Sequence, residues 1–328
     1  MKTRQIAYVV ITLFVSGCRN AGESTSMTAE MSKTKSTALP NAAISTTARA
    51  GPLGIADPVV LSDMQSKPVR SDKATYILRG LIGVGSAGRV YWGERESDGT
   101  SFAVKVVTPS TTTTNEVTAY SLLKGFSGFP QLEDYFMFED ELYMVMTSIG
   151  FRIEDLRRVA GGKLRTLPIH TVGSIGVQLV DRVEIVHSLG LVHGDLFPNN
   201  LAVGTGNDAE RSTLYVFDFG ESLVYRDEKT EQHVLNLRKT RLFDIQAISH
   251  TILQLLVPGT PFGDYKHWAD HPRKPSINDL CQGLPSAVKD LFLYSHTELG
   301  EFDTPDYERL RGYMHSLATP LYRGLILW

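Results

Sequence analysis

Gly83-Val84-Gly85-Ser86-Ala87-Gly88-Arg89-Val90, followed by Phe102-Ala103-Val104-Lys105, is the stretch on which the reading of this chain turns. The first segment fits the pattern G-x-G-x-x-G-x-V, in which glycines let the backbone turn tightly and bring amide N–H groups up to an anion. Alone, the pattern also fits a plain glycine-rich hairpin. Tyr76-Ile77-Leu78 before it and Arg89-Val90-Tyr91-Trp92 after it read as strands, whereas a dinucleotide-binding turn would open into a helix. Ser101–Val107 reads as a further strand and carries Lys105. A lysine on an apolar strand is ordinarily a solvated edge charge. Here a helix expected over 115–124 brings Glu116, which can pair with Lys105 and hold its ammonium toward phosphates under the turn. Residues 108–114 read as a polar loop between the two.

Two later motifs extend the pattern. His193-Gly194-Asp195-Leu196-Phe197-Pro198-Asn199-Asn200 follows a helix expected over 172–189, whose Ile175, Leu179, Val183 and Val186 share one face. It has the spacing of the protein-kinase catalytic loop, H-R-D-x-x-x-x-N. Val216-Phe217-Asp218-Phe219-Gly220 lies on and after a short strand at 214–217. A second helix is expected over 244–257, with Ile245, Ile248, Ile252 and Leu255 on one face and Pro258-Gly259 as its stop. Five motif elements in the protein-kinase order give the chain a close resemblance to that superfamily. Strands first and helices after imply an α+β, bilobal fold with a small β-rich lobe and a larger helical lobe.

The resemblance is to the casein kinase I family in particular, over about 76–314. It rests on Asn115-Glu116-Val117-Thr118-Ala119-Tyr120, Gly128-Phe129-Pro130, Tyr143-Met144-Val145-Met146, Ile153-Glu154-Asp155-Leu156, Gln178-Leu179-Val180-Asp181-Arg182-Val183-Glu184, Tyr225-Arg226-Asp227 and Phe302-Asp303-Thr304-Pro305-Asp306-Tyr307. It implies ATP as phosphate donor, Mg²⁺ or Mn²⁺ as cation, and a protein or other hydroxyl-bearing acceptor. Gly83, Gly85, Gly88, Val90, Ala103, Lys105 and Glu116 would line the ATP site. Met146 would be the gatekeeper, and the backbone near Thr147 and Ile149 would meet adenine. Asp195, Lys105 and Asn200 would carry catalysis, and Asn200 and Asp218 would hold the metal. Asp244 resembles the buried aspartate that supports the catalytic loop.

The chain departs from the family in three places. Gly194 stands where an arginine usually clamps a phosphorylated activation loop. Phe197 stands where a lysine usually contacts the transferring phosphate. The stretch from Asp218 to Asp244 is short, with no A-P-E-like motif, so the platform for a protein substrate looks deleted. Three readings are open at this point: a Ser/Thr-type protein kinase, an ATP-binding pseudokinase acting as a scaffold, and a small-molecule kinase.

Composition sets the outer bounds. The 328 residues are 42% hydrophobic and 21% charged, which suits one domain with a substantial core plus extra chain. A net charge of -3 gives no basic field for nucleic acid. Cys18 and Cys281 make neither a disulfide framework nor a metal-ligand spacing. Lys2 and Arg4, an apolar run at 6–15 and then Ser16-Gly17-Cys18 read as a signal peptide over 1–18, too short to span a bilayer. The expected destination is the secretory pathway or the exterior. Val15-Ser16-Gly17-Cys18 also resembles a lipobox, which would anchor the chain through lipid on Cys18 in a bacterial host. Residues 19–71, rich in Ser and Thr, read as a disordered linker, leaving 72–328 as the kinase-like domain with no transmembrane span in the mature chain.

Overall fold

The structure, a computed structural model, describes residues 66–85, 88–159, 162–225, 239–257 and 275–318. The expected leader, the expected linker up to residue 65, Ser86-Ala87, Arg226-Asp227 and Pro258-Gly259 lie outside the described residues.

The first lobe is a six-stranded antiparallel sheet: β1 (Lys67–Arg70), β2 (Thr75–Gly85), β3 (Gly88–Arg95), β4 (Ser101–Val107), β5 (Leu132–Phe138) and β6 (Glu141–Thr147), in the order β1-β2-β3-β4-β6-β5. β4 is buried from Phe102 to Val107 and β6 from Tyr143 to Met146, and apart from Lys105 these buried stretches are apolar. The sheet begins earlier than the sequence reading has it. Lys67–Arg70, assigned there to the linker, pairs with β2 from Lys67↔Leu78 to Arg70↔Thr75. This is an edge strand, where Pro68 costs no ladder bond on its free side. β5 was not foreseen either. It too is an edge strand, and Glu133 and Asp134 interrupt its apolar signal.

Helix α1 (Thr111–Leu122) starts four positions before the expected 115, so 108–114 is not all loop. Ser110 Oγ accepts from the Thr113 N–H at 3.3 Å, and Thr113 Oγ1 accepts from the Ser110 N–H at 2.8 Å. This reciprocal cap satisfies two amide donors that the first turn cannot. A run of threonines conceals it, because β-branched residues are weak helix formers.

The second lobe holds α2 (Ile153–Arg157), α3 (Ile169–Ser188), β7 (Leu191–Val192), β8 (Leu201–Val203), α4 (Asp208–Arg211), β9 (Leu214–Val216), β10 (Leu223–Val224), α5 (Arg241–Leu256), α6 (Ile277–Leu280), α7 (Ser286–Leu293) and α8 (Tyr307–Leu317). β8 pairs with β9 and β7 with β10, both antiparallel. The faces read for α3 and α5 are buried as expected, and α3 packs on α5 and α8. Both helices start three positions before the expected bounds. Together the lobes form the bilobal α+β kinase architecture. Among the described residues no helix is long and apolar enough to cross a membrane.

Candidate active site

β2 and β3 form the glycine hairpin, with Gly83 facing Val90 and Gly85 facing Gly88. Gly88 has φ +117°, and a Cβ there would stand 2.5 Å from the Val106 carbonyl oxygen. The third glycine of the motif is therefore fixed by its crossing of the end of β4. Val90 pairs with Lys105 and Trp92 with Ala103 across β3 and β4, which sets Val90 and Ala103 in one apolar cluster.

Lys105 is 1% exposed, and its Nζ lies 2.6 and 2.7 Å from the two Glu116 oxygens and 3.4 Å from Asp218 Oδ1. An ammonium so far from water survives only if paired and hydrogen-bonded. Burial works against its charge, but Glu116 and Asp218 outweigh burial and hold the amine above the ordinary lysine value. Burial likewise pushes the Glu116 carboxyl up, and Lys105 opposes that push. Glu116, 11 positions from Lys105, and Asp218, 113 positions from it, thus meet around one amine, joining β4, α1 and the Asp218-Phe219-Gly220 segment.

Asp218 has φ +64°, a left-handed conformation that strains a residue other than glycine. Its surroundings enforce it. The Asp218 N–H donates to Tyr120 Oη at 3.1 Å. Phe219, fully buried, packs its ring 4.6 Å from His193, 5.2 Å from Tyr120 and 6.1 Å from Phe129. α1 therefore holds the Asp218 segment directly through Tyr120, and Glu116 is linked to Asp218 through the shared Lys105 ammonium.

The catalytic loop is built on Asp244 of α5. Its carboxylate accepts the His193 N–H at 2.7 Å and the Gly194 N–H at 2.8 Å. His187 Nε2 reaches the same carboxylate at 3.0 Å, and His187 Nδ1 meets Tyr307 Oη at 2.8 Å. Burial would raise the Asp244 carboxyl, but His187, His193 and the Gly194 N–H outweigh it and hold the group below the ordinary carboxylate value. His193 Nδ1 accepts the Asp195 N–H at 3.2 Å, so Nε2 carries the proton and donates to the Phe217 carbonyl at 3.1 Å. Burial accordingly keeps the His193 imidazole below its ordinary value. Asn200 Nδ2 donates to the Asp195 carbonyl and to Asp195 Oδ2, both at 2.8 Å. This tie orients the Asp195 carboxylate.

Gly194 has φ +77°, and a Cβ there would lie 2.7 Å from the Glu221 carbonyl oxygen and 2.7 Å from Lys239 Cδ. The place of the usual arginine is thus taken by Lys239, whose ammonium pairs with Glu221 at 2.6 Å. Phe197 is buried in the main core of the second lobe and contributes no charge to the site.

At the hinge, the Thr147 N–H donates to the Gln131 carbonyl at 2.9 Å and the Gly150 N–H to the Val203 carbonyl at 2.7 Å. Ile149 joins Val90 and Ala103 in their cluster, whereas Met146 packs into the main core with Tyr120 and Phe129. The structure so brings together Lys105 with Glu116 and Asp218, Asp195 with Asn200, and Val90 with Ala103 and Ile149. Sequence reasoning assigned no role to Tyr120, His187 or Tyr307. Tyr307 ends the last of the stretches that carry the family resemblance, and its hydroxyl closes the chain of bonds to Asp244. Its separation of 120 positions from His187 leaves no local signal in sequence.

A family model described as the protein kinase domain matches residues 76–242, about half of the chain. A casein kinase I homolog of Kluyveromyces lactis is 27% identical over 278 residues, covering 74% of this chain and 51% of the relative. Casein kinase I homolog 1 of Schizosaccharomyces pombe is 26% identical over 70% of this chain and 58% of its own length. Casein kinase I homolog 2 of Saccharomyces cerevisiae is 26% identical over 73% of this chain and 49% of its own length. The chain spans roughly half the length of the curated relatives it matches.

Proposed function

We propose that this chain, which belongs to the protein kinase domain family, is a casein kinase I-like enzyme that transfers the γ-phosphate of ATP to a serine or threonine hydroxyl. The observation that carries the reading is the buried meeting of Lys105, Glu116 and Asp218 beside the bonded pair Asp195 and Asn200. Burying such charges is costly, and a site kept only for packing would be as stable with apolar residues. In this reading Lys105 holds the α- and β-phosphates and Glu116 fixes its direction. Asp195 orients the acceptor hydroxyl and takes its proton.

Among the described residues, no three His, Cys, Asp or Glu side chains converge as a metal cage. The donor set nevertheless fits a hard cation that completes its shell with phosphate oxygens and water: one carboxylate from Asp218 and one amide oxygen from Asn200, whose nitrogen is turned to Asp195. Bound there, Mg²⁺ would neutralise charge on the phosphates. Phe197, buried in the core, and the short stretch from Asp218 to Asp244 favour one second reading, in which the acceptor is a small hydroxyl compound.

The test is labelled transfer from γ-phosphate-labelled ATP to a panel of serine, threonine and tyrosine peptides, acidic proteins and small alcohols. Label on serine or threonine alone is the expected result. Label confined to small alcohols would overturn the protein-acceptor reading.

A further inference from the structure

Phe217, directly before Asp218, carries a feature that the phosphate chemistry does not explain. Its side chain is 1% exposed and belongs to one apolar cluster with Val90, Ala103, Ile149 and Ala202. Val90 and Ala103 come from β3 and β4 of the first lobe, and Ala202 from β8 of the second. All three are fully buried. The ATP reading places a purine base between these residues, and Phe217 is buried against them in the same cluster. Ala202 and Ala103 are small, and the large Phe217 ring lies in the same buried cluster with them, one position past the end of β9. The backbone of Phe217 cannot retreat. Its N–H donates to the Asn200 carbonyl at 3.1 Å, and its carbonyl accepts from His193 Nε2 at 3.1 Å. Shifting that backbone would disturb Asn200 and Asp218, so only side-chain rotation can clear the slot.

We infer that Phe217 closes the base slot of this chain, and that a purine enters only when the ring turns aside. Phe217 thereby sets the affinity for the base independently of the phosphate contacts. The inference rests on the nucleotide reading above. It predicts weak discrimination between ATP and bare triphosphate, since ring rotation taxes the base alone.

The test uses the full chain with Mg²⁺, comparing wild type, Phe217→Leu, Phe217→Ala and Lys105→Met in equilibrium binding of ATP, adenosine and inorganic triphosphate. Phe217→Leu and Phe217→Ala should tighten ATP and adenosine by about tenfold and leave triphosphate unchanged. Far-UV circular dichroism verifies the fold of each, and the leucine variant stands if the alanine variant does not. Unchanged or weaker ATP binding by Phe217→Leu, with Lys105-dependent triphosphate binding intact, overturns the inference and leaves the nucleotide reading standing. Absence of any Lys105-dependent binding in wild type and variants overturns both.

Discussion

Lys105 and Glu116 show how a residue's worth depends on its partner. Removing the ammonium in Lys105→Met strands a buried carboxylate and should cost about 3–5 kcal/mol in urea unfolding. Lys105→Met/Glu116→Leu should recover most of that stability without recovering nucleotide binding. A single variant as stable as wild type would contradict the pairing at 2.6 Å. Asp244 makes the same point through pH. Its folded carboxyl lies below the ordinary value of 3.8. The stability it confers is therefore complete above about pH 4 and is lost as pH falls through the folded value. Asp244→Asn keeps the shape but lacks a second acceptor for the His193 and Gly194 N–H groups. It should cost about 3 kcal/mol at neutral pH. Below pH 4 its stability should vary less with pH than that of wild type, as read by acid titration of unfolding free energy. Residues of this kind were readable where a motif spacing marked them, as at Lys105, Asp195, Asn200 and Asp218. Tyr120, His187 and Tyr307 were not, because a hydrogen bond over 57 to 120 positions writes no local pattern.

At the scale of elements, α1 is the piece that joins the lobes' chemistry. It delivers Glu116 to Lys105 and Tyr120 to Asp218, and its N-terminus rests on the Ser110–Thr113 cap. Ser110→Ala removes the acceptor for the Thr113 N–H and should cost about 1 kcal/mol in chemical denaturation. It should also raise KM for ATP more than it changes kcat, because Glu116 loosens before Asp195 does. A variant with wild-type stability would show that the cap is idle. The central strands and the long helices could be read from pattern, since burial on both faces of β4 and on one face of α3 and α5 imposes apolar runs and a 3.6-residue period. The edge strands β1 and β5 and the start of α1 could not. Edges mix charged and apolar residues, and a capped run of threonines looks like loop.

Across the whole molecule, two lobes of different composition converge on one cleft, and the second lobe's core reaches it through Asp244. The order of the motifs made this architecture legible in sequence, because glycine turn, lysine strand, catalytic loop and metal motif follow one another as they do in the protein kinases. Two matters of packing could not be read from order. Lys239 lies against Gly194, and Phe217 is buried in one cluster with Val90 and Ala103. Both depend on which residues the fold brings together in space. The central claim is that Asp195 directs phosphate transfer from ATP in this cleft. The most direct measurement is transfer by the full chain with Mg²⁺ and ATP, side by side with Asp195→Asn. The account predicts transfer by wild type and a loss of about 10²–10⁴-fold in kcat for the variant, with KM for ATP little changed. Equal transfer by both proteins, or ATP binding by wild type with no transfer to any acceptor, would contradict it.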